Sequence, residues 1–475
     1  MENFGCRATQ ADGASLERDL LEKGFLRATD PREAQVVVLN TCTVTSAADQ
    51  DARSTIRRIH RQNPGARILV TGCYAQRAPE EIANIPGVSV VVGNSHKRQL
   101  ADIATGSGFV SLESLGAKEI FVGDIFAHTE LMAAPVFEAD TASEKTRPNL
   151  KVQDGCNNRC SFCIIPFVRG KSRSLKIEDV LRETRALVDL GYKEVVLSGI
   201  NLGRWGRDLG AVGLKPDSEM ATDGSPALTC GATFSKQSLW PNGAQQFADA
   251  TARLRFVDLL RAMLAETEIQ KIRISSVEPM DWSDELIELV ATSPRICKHA
   301  HVPLQSGSDR ILRRMHRKYR PWHYADRIKK IRAAMPDAAI GADVMVGFPG
   351  ETDEQFEETR AFIDSLPFTY LHVFTYSSRP GTPSAAMPDQ VRGDVTRERN
   401  RILRELVAKK KREFHERFIG REVEAITLTN FENGRTEALT DNYQKMWIEG
   451  KHEANRLVNA RVTGIEGEAL IGTIG

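Results

Sequence analysis

Short apolar runs alternate with amphipathic segments over the first hundred residues. Asn3 to Gly5 is a strand stub ahead of Cys6, a helix fits Gly13 to Lys23, and Gln35 to Asn40 (QVVVLN) has the unbroken apolar character of a buried strand. A second helix fits Asp49 to Gln62, and the next strand, Arg67 to Thr71, runs into Gly72 and Cys73. Strands alternating with helices predict a parallel sheet, in which the loops after the strand C-termini gather along one edge. The first stub is short for an opening strand, which points either to an edge position or to further chain upstream.

Periodicity lapses from Ala127 to Thr146, where small and acidic residues dominate and a linker is predicted. Beyond it six strand-like runs recur between helical segments: Asn149 to Gln153, Glu194 to Leu197, Lys271 to Ser275, His301 to Leu304, Ile340 to Val346 and Tyr370 to Phe374. Six βα units suit an open, partial barrel that binds ligands at the C-terminal ends of its strands. The stretch from Arg204 to Arg253 has no sustained period and reads as a surface insertion. After a turn-rich segment, Ser377 to Pro388, a long basic helix fits Asp394 to Phe418. Short alternating runs then follow (Val423 to Leu428, Lys445 to Ile448, Leu457 to Val462, Ala469 to Ile474), which suggest a small antiparallel β-barrel. The expected class is α/β: a flavodoxin-like parallel domain over residues 1–106, a connecting segment over 107–141, and a partial (β/α)6 barrel over 142–385 that carries the 204–253 insertion. A basic helix over 386–419 and a small β-barrel over 420–475 complete it.

A chain of 475 residues with 41% apolar content divides into two to four packed domains. No run of eighteen apolar residues occurs, and the polar N-terminus lacks a basic segment followed by an apolar one. A soluble, cytoplasmic protein is expected. Eight cysteines are too sparse for a disulfide framework, and six of them fall into two sets of three. Of the other two, Cys230 reads as a free thiol on the insertion and Cys297 as core.

The first set lies in DGCNNRCSFCIIPFVRGKSRS, Asp154 to Ser174, where Cys156, Cys160 and Cys163 are close enough for one loop to turn three thiolates toward a common point. Zinc and most iron-sulfur sites use four protein ligands, and no fourth Cys or His follows at short range. Three ligands on a four-iron cluster leave one iron open for a substrate; a zinc loop or three unrelated buried thiols is the plainer alternative. The second set, Cys6, Cys42 and Cys73, is scattered in sequence. Each member directly follows a predicted strand one βα unit from the next, so the sheet edge brings them together. Buried free thiols are the alternative there.

The cysteine spacing, with Phe162 just before the third cysteine, resembles the radical S-adenosylmethionine (SAM) enzymes. Across nearly the whole chain apart from the insertion, the domain order and local motifs resemble the radical SAM methylthiotransferases. GCRATQ at Cys6, NTCTVT at Cys42 and TGCYAQ at Cys73 look like that family's N-terminal domain, and RGKSRS, with Arg169 and Arg173, follows the SAM-cluster cysteines. SGIN at Ser198 to Asn201, RISSVEP at Arg273 to Pro279, VPLQSGSD at Val302 to Asp309 and DVMVGFPGET at Asp343 to Thr352 match as well. The C-terminal runs are similar to the TRAM domain, an RNA-binding module. LTDNYQK, Leu439 to Lys445, and LHVFTYSSRPGT, Leu371 to Thr382, resemble the branch acting on N6-threonylcarbamoyladenosine in tRNA more than the isopentenyladenosine branch.

The resemblance implies two 4Fe-4S clusters, one on Cys156, Cys160 and Cys163 and an auxiliary one on Cys6, Cys42 and Cys73. It also implies SAM as both methyl donor and radical source, and transfer of a methylthio group to C2 of the adenosine beside the anticodon (position 37). An external electron donor and sulfur source are required, and a monomer without membrane attachment is expected. From chemistry, Asn201 suits the SAM amino-acid moiety and Arg273 a ribose or carboxylate oxygen, while Gly347 and Gly350 allow close approach to adenine. The formal net charge of +1 is neutral on partners, but its distribution is not. Arg392 to Arg417 carries ten bases and five acids, and Arg310 to Arg320 (RILRRMHRKYR) is strongly basic, which favours RNA. The region from Arg421 onward, with six bases and nine acids, does not, and leaves open a related enzyme acting on a ribosomal-protein aspartate. A non-catalytic iron-sulfur RNA-binding protein is a third reading, which needs no open iron.

Overall fold

The computed structural model describes residues 1–30, 32–106, 119–127, 146–209 and 253–474. The expected insertion, including Cys230, and the expected linker lie almost wholly outside them. The N-terminal unit is a parallel five-stranded sheet in the order β1 (Glu2–Asn3), β2 (Val36–Thr41), β3 (Arg67–Gly72), β4 (Val88–Gly93) and β5 (Glu119–Phe121). The opening strand is an edge, pairing only with β2. Leu39, Ile68, Val70 and Val91 are buried on one side under the helix Ser46–Gln62; Val38, Leu69, Val90 and Val92 face the helix Arg7–Glu22. The second helix is capped by Thr45, whose hydroxyl accepts from the Ala48 N–H. The first helix starts six residues before its predicted start at Gly13. Gly13 lies inside it, where a Cβ would fall 1.9 Å from the Asn3 Oδ1, so the glycine serves close packing on the edge strand.

The central unit is an open barrel of six parallel strands: β6 (Asn149–Asp154), β8 (Glu194–Gly199), β9 (Lys271–Ile274), β10 (His299–His301), β11 (Ala339–Val346) and β12 (Tyr370–Thr375). A two-residue strand, β7 (Arg173–Ser174), pairs antiparallel with β6. The ladder is interrupted between β9 and β10, which are joined by isolated bridges such as Ser276 with His301. The fourth strand covers His299–His301, two residues earlier than the predicted start, and its hydrogen bonding to β11 runs on past it, the Val302 and Leu304 N–H groups donating to the Gly341 and Asp343 carbonyls. Val152, Leu197, Ile272, Ala300 and Ile340 join one core with the surrounding helices, including the fully buried Trp205 and Trp282.

A 24-residue helix, Gly393–Glu416, leads to a closed barrel of β13 (Glu422–Glu432), β14 (Arg435–Thr440), β15 (Lys445–Glu449), β16 (Leu457–Glu466) and β17 (Ala469–Ile474). It is antiparallel except where β15 meets β17 in parallel to close the ring. The β14 strand is not among the predicted runs; its RTEALT carries only two apolar side chains, Ala438 and Leu439, and only the leucine is large.

Arg379, from the loop after β12, reaches across to the N-terminal unit. The Asp49 carboxylate accepts from Arg379 at 2.6 Å, from Arg77 at 3.0 Å and from the Thr43 hydroxyl at 2.6 Å, with both Asp49 and Arg379 buried. Removing one member of such a group leaves uncompensated charge in the interior, at roughly 3 to 5 kcal/mol. Asp49→Ala is therefore expected to lower the first urea unfolding midpoint strongly, and Asp49→Asn, which keeps the hydrogen-bond acceptor, to lower it less; equal midpoints would show that the charge is immaterial.

Candidate active site

The loop after β6 turns on Gly155, whose φ is +68° and where a Cβ would lie 2.0 Å from the Lys171 carbonyl oxygen. The turn lets the Cys156 N–H reach the Gly170 carbonyl at 3.1 Å, so the cysteine loop folds back on the RGKSRS segment. Cys156 Sγ accepts from the Asn158 N–H at 3.4 Å and from Asn201 Nδ2 at 3.5 Å, and Cys160 Sγ accepts from Arg317 Nη1 at 3.2 Å. Donors aimed at sulfur favour the thiolate, the form that binds metal. Against them, burial pushes the Cys163 thiol up to about 12, and the Cys160 charge adds to it. A loop that gathers three thiols, with donors placed on two of them, fits a cationic cluster that takes up the thiolate charge.

Cys6, Cys42 and Cys73 follow β1, β2 and β3 at one sheet edge. Burial, then the neighbouring Cys73, pushes Cys42 up to about 12. Gly5, at φ +99°, lets the Cys6 loop pass so close that a Cβ there would be 2.6 Å from the Cys42 Cβ. Asn94 Nδ2 lies 3.6 Å from Cys73 Sγ, and the Thr9 hydroxyl 3.6 Å from Cys6 Sγ. This set also fits a thiolate-ligated cluster. Cys73 packs against Ile164 and Val168, which follow the first set, so the two sets are separated by a single layer of apolar side chains.

A cavity of about 660 Å³ is lined by Cys156, Cys160 and Cys163, by Cys6 of the second set, and by Asn201 and Arg273 among others; Cys42 and Cys73 do not line it. Several buried polar atoms on its wall have no hydrogen-bond partner among the described residues: Asn201 Oδ1, Ser198 Oγ, His299 Nδ1 and Gln305 Oε1, while His301 Nε2 lies 3.4 Å from the Asp343 carboxylate. Groups left unmatched in this way are where a ligand has to supply hydrogen bonds. Away from the cysteines the wall is aromatic. His299 lies 4.4 Å from Tyr443 and stacks on Tyr370 at 6.0 Å, and His301 stacks on Tyr370 at 5.9 Å, ring centroid to centroid. Tyr443 comes from the C-terminal barrel, and its hydroxyl accepts from Arg7 at 3.4 Å, so all three units contribute to one cavity.

The residues expected to contact SAM divide. Asn201 faces Cys156 from the end of β8, with its backbone N–H held by Gln153 Oε1 at 2.7 Å. Arg273 is on the wall, but four of its N–H contacts are taken: two to Glu194 (2.7 and 3.0 Å), one to the Asp441 carbonyl (3.0 Å) and one to the Thr440 carbonyl (3.2 Å). Gly347 and Gly350 are not among the lining residues. A Cβ on Gly347 would strike Thr396 at 2.1 Å, and one on Gly350 the Arg314 guanidinium at 2.2 Å. Cys297 is buried near Glu194 in the core. Sequence reasoning missed Arg317, which sits in the basic run yet turns inward to Cys160, Glu278 and the Tyr319 hydroxyl. It also missed His299, His301 and Tyr370; the alternation of His299 with His301 on β10 and of Tyr370 with His372 on β12 is the signal that could have found them.

An open barrel with three cysteines on the loop after its first strand defines a radical SAM enzyme. Residues 150–202 and 245–363 match the radical SAM superfamily, and residues 1–93 match the family described as "Uncharacterized protein family UPF0004". The fold resembles that of the radical SAM methyltransferase TsrM from Kitasatospora setae, with a TM-score of 0.51 and 14% identity over 79% of this chain and 72% of that one. The threonylcarbamoyladenosine tRNA methylthiotransferase MtaB of Bacillus subtilis (strain 168) is 36% identical over 95% of this chain and 90% of its own. The tRNA-2-methylthio-N(6)-dimethylallyladenosine synthase of Acidothermus cellulolyticus is 33% identical over 98% and 82%. The chain belongs to the radical SAM tRNA methylthiotransferases, and relatives from both the threonylcarbamoyladenosine and the dimethylallyladenosine branches match it.

Burial, and then the positive charge of Arg273, holds His299 well below the ordinary histidine value. A group whose pKa is lower in the folded chain contributes stability that is present above its unfolded value, about 6.5, and is lost as pH falls below it. Denaturant unfolding at pH 7.5 and 5.5 is expected to show lower stability at 5.5, and His299→Gln is expected to narrow that difference; an unchanged difference would place the titration elsewhere.

Proposed function

We propose that the protein transfers a methylthio group to C2 of N6-threonylcarbamoyladenosine at position 37 of tRNA, using two SAM molecules and two 4Fe-4S clusters. The observation that carries this reading is the cavity lined by Cys156, Cys160 and Cys163 and by Cys6 of the second set, which runs on to the aromatic wall of His299, Tyr370 and Tyr443. Clusters on Cys156, Cys160 and Cys163 and on Cys6, Cys42 and Cys73 supply, when bound, the electron that cleaves SAM and an open iron for the transferred sulfur. The protein's own part is placement and shielding. Asn201 holds the amino-acid end of SAM, and the remaining N–H of Arg273 serves a ligand oxygen. The Gly347 to Gly350 turn sets the course of the loop whose Phe348 packs edge-on against Phe162, at 6.5 Å, beside the cysteine loop. Ile164 and Ile165 keep water from the cysteines. An external reductant and sulfur source complete the system, in the cytoplasm where tRNA resides.

Stacking of an unpaired base on aromatic side chains is worth roughly 1 to 3 kcal/mol, and Tyr443, Tyr370 and His299 offer such a surface. Their polar company, with Arg7 and the unmatched Gln305 Oε1, suits the carboxylate and hydroxyl of a threonylcarbamoyl group better than an apolar prenyl chain. The basic runs contribute less than their composition suggests. Arg317 is buried, Arg313 and Arg320 pair with Asp309, and Arg399 is buried against Glu351. Arg397, Arg404 and Arg412 of the long helix remain exposed, seven and eight residues apart and therefore along one side of it. They are assigned to the tRNA phosphates.

Nucleoside mass spectrometry of tRNA from cells with and without the protein should show the methylthio product on threonylcarbamoyladenosine; its appearance on dimethylallyladenosine or on a ribosomal protein would move the chain to another branch. Reconstituted protein should hold about eight irons, from two four-iron clusters, and the Cys156→Ala, Cys160→Ala, Cys163→Ala chain about four. Exchanging Arg397, Arg404 and Arg412 for Gln should flatten the log–log dependence of tRNA affinity on salt by roughly 0.7 to 0.9 unit per contact, while SAM cleavage without tRNA persists.

A further inference from the structure

Five charged side chains lie buried where the helix Arg7–Glu22 packs against β6, each no more than 6% exposed: Asp12, Lys97, Lys151, Asp154 and Arg169. Asp12 accepts from Lys97 at 3.0 Å, from Arg169 Nη2 at 3.0 Å and from Lys151. Asp154, two residues before Cys156, accepts from Lys151 at 3.0 Å and from Arg169 Nη1 at 3.0 Å on both oxygens. Arg173 approaches Asp154 at 4.0 Å from the partly exposed side. Three buried cations against two carboxylates leave one positive charge in excess, before Arg173 is counted.

A surplus charge without solvent is costly unless something meets it. Arg169 Nη2 also contacts the Thr9 hydroxyl at 3.3 Å, and that hydroxyl lies 3.6 Å from Cys6 Sγ; Arg169 Nε has no protein partner. Asn94, bonded to the Val168 carbonyl beside Arg169, touches Cys73. The network's open side therefore faces the N-terminal cysteines. In agreement with this, those thiols favour the charged form of Arg169, and Cys73 that of Lys97.

We propose that this buried network acts as a built-in countercharge that sets the reduction potential of an iron-sulfur cluster on Cys6, Cys42 and Cys73, raising it by stabilising the electron the cluster accepts. Lys97 and Asp12 are positioning residues in this sense, since neither touches a cysteine. Reduction adds one negative charge to the cluster, and in a low-dielectric interior a nearby net positive charge favours the reduced form, which surface charges screened by salt cannot match.

The inference rests on the reading that these three cysteines hold a cluster, and the test separates the two. The full chain with Cys156→Ala, Cys160→Ala and Cys163→Ala carries only the N-terminal site, and its potential is read by electron paramagnetic resonance during titration with dithionite. Lys97→Met, which removes a positive charge, is expected to shift the midpoint down, Asp12→Asn, which removes a negative one, to shift it up, and Lys97→Arg to leave it near the parent. Opposite shifts from two substitutions in one buried contact are what charge predicts and mere loosening of structure does not. Iron present with both midpoints unmoved, or moved in the same direction, would overturn the proposal and leave the cluster reading standing. Absence of iron from the parent chain would overturn both. If Lys97→Met takes up no iron, the Asp12→Asn and Lys97→Arg pair decides alone: a rise in the first beside an unchanged second supports the proposal, and any other pattern sinks it.

Discussion

Asp12 lies sealed between two folding units, and its charge is met from both of them: Lys97 from the N-terminal sheet, Lys151 and Arg169 from the barrel. A carboxylate in that position is tolerable only while all three partners are in place. The helix that carries Asp12 is thereby clamped to the first barrel strand, and the sheet edge bearing Cys6, Cys42 and Cys73 is turned toward the loop bearing Cys156, Cys160 and Cys163. Every later feature of the site follows from that docking. Arg379 on Asp49 reinforces it at a second point, next to the Cys42 loop.

The units meet at ends rather than at faces. Parallel strands deliver their C-terminal loops to one edge, and here the edge of the sheet and the mouth of the barrel are opposed. This explains how Cys6, from a set spread over 68 positions as far as Cys73, comes to face the same space as the local set Cys156, Cys160 and Cys163. That space is mixed in character: apolar near the cysteines, where Phe162 and Ile165 line it, and aromatic and polar toward His299 and Tyr370, the first residues of β10 and β12.

Regular periodicity was readable along the chain because apolar runs such as VVVLN and EVVL admit little but buried parallel strands. It failed where local preference and tertiary need diverged. Gly13 looks like a helix boundary but is an internal contact point, and β14 carries too few large apolar residues to announce itself. The cysteines were legible because spacing and position after strands are local properties. Arg317 was not, since its run is indistinguishable in composition from a solvated helix, and only the fold turns one guanidinium inward. The charges on Asp12, Lys97 and Lys151 were silent for the same reason: each is an ordinary surface residue type until long-range packing removes the water around it.

Arg273 is seated by Glu194 and by two carbonyls of the turn after β14, and the Asp441 carbonyl lies 168 positions further along the chain. The ribosome makes the barrel before it makes that turn. Until the last segment emerges, Tyr443 is missing from the aromatic wall and the side of the cavity it covers stands open to solvent, with both cysteine sets already synthesised. The fold thus has an order of assembly written into it, in which the metal-binding groups are complete while they are still accessible and the substrate chamber is finished last.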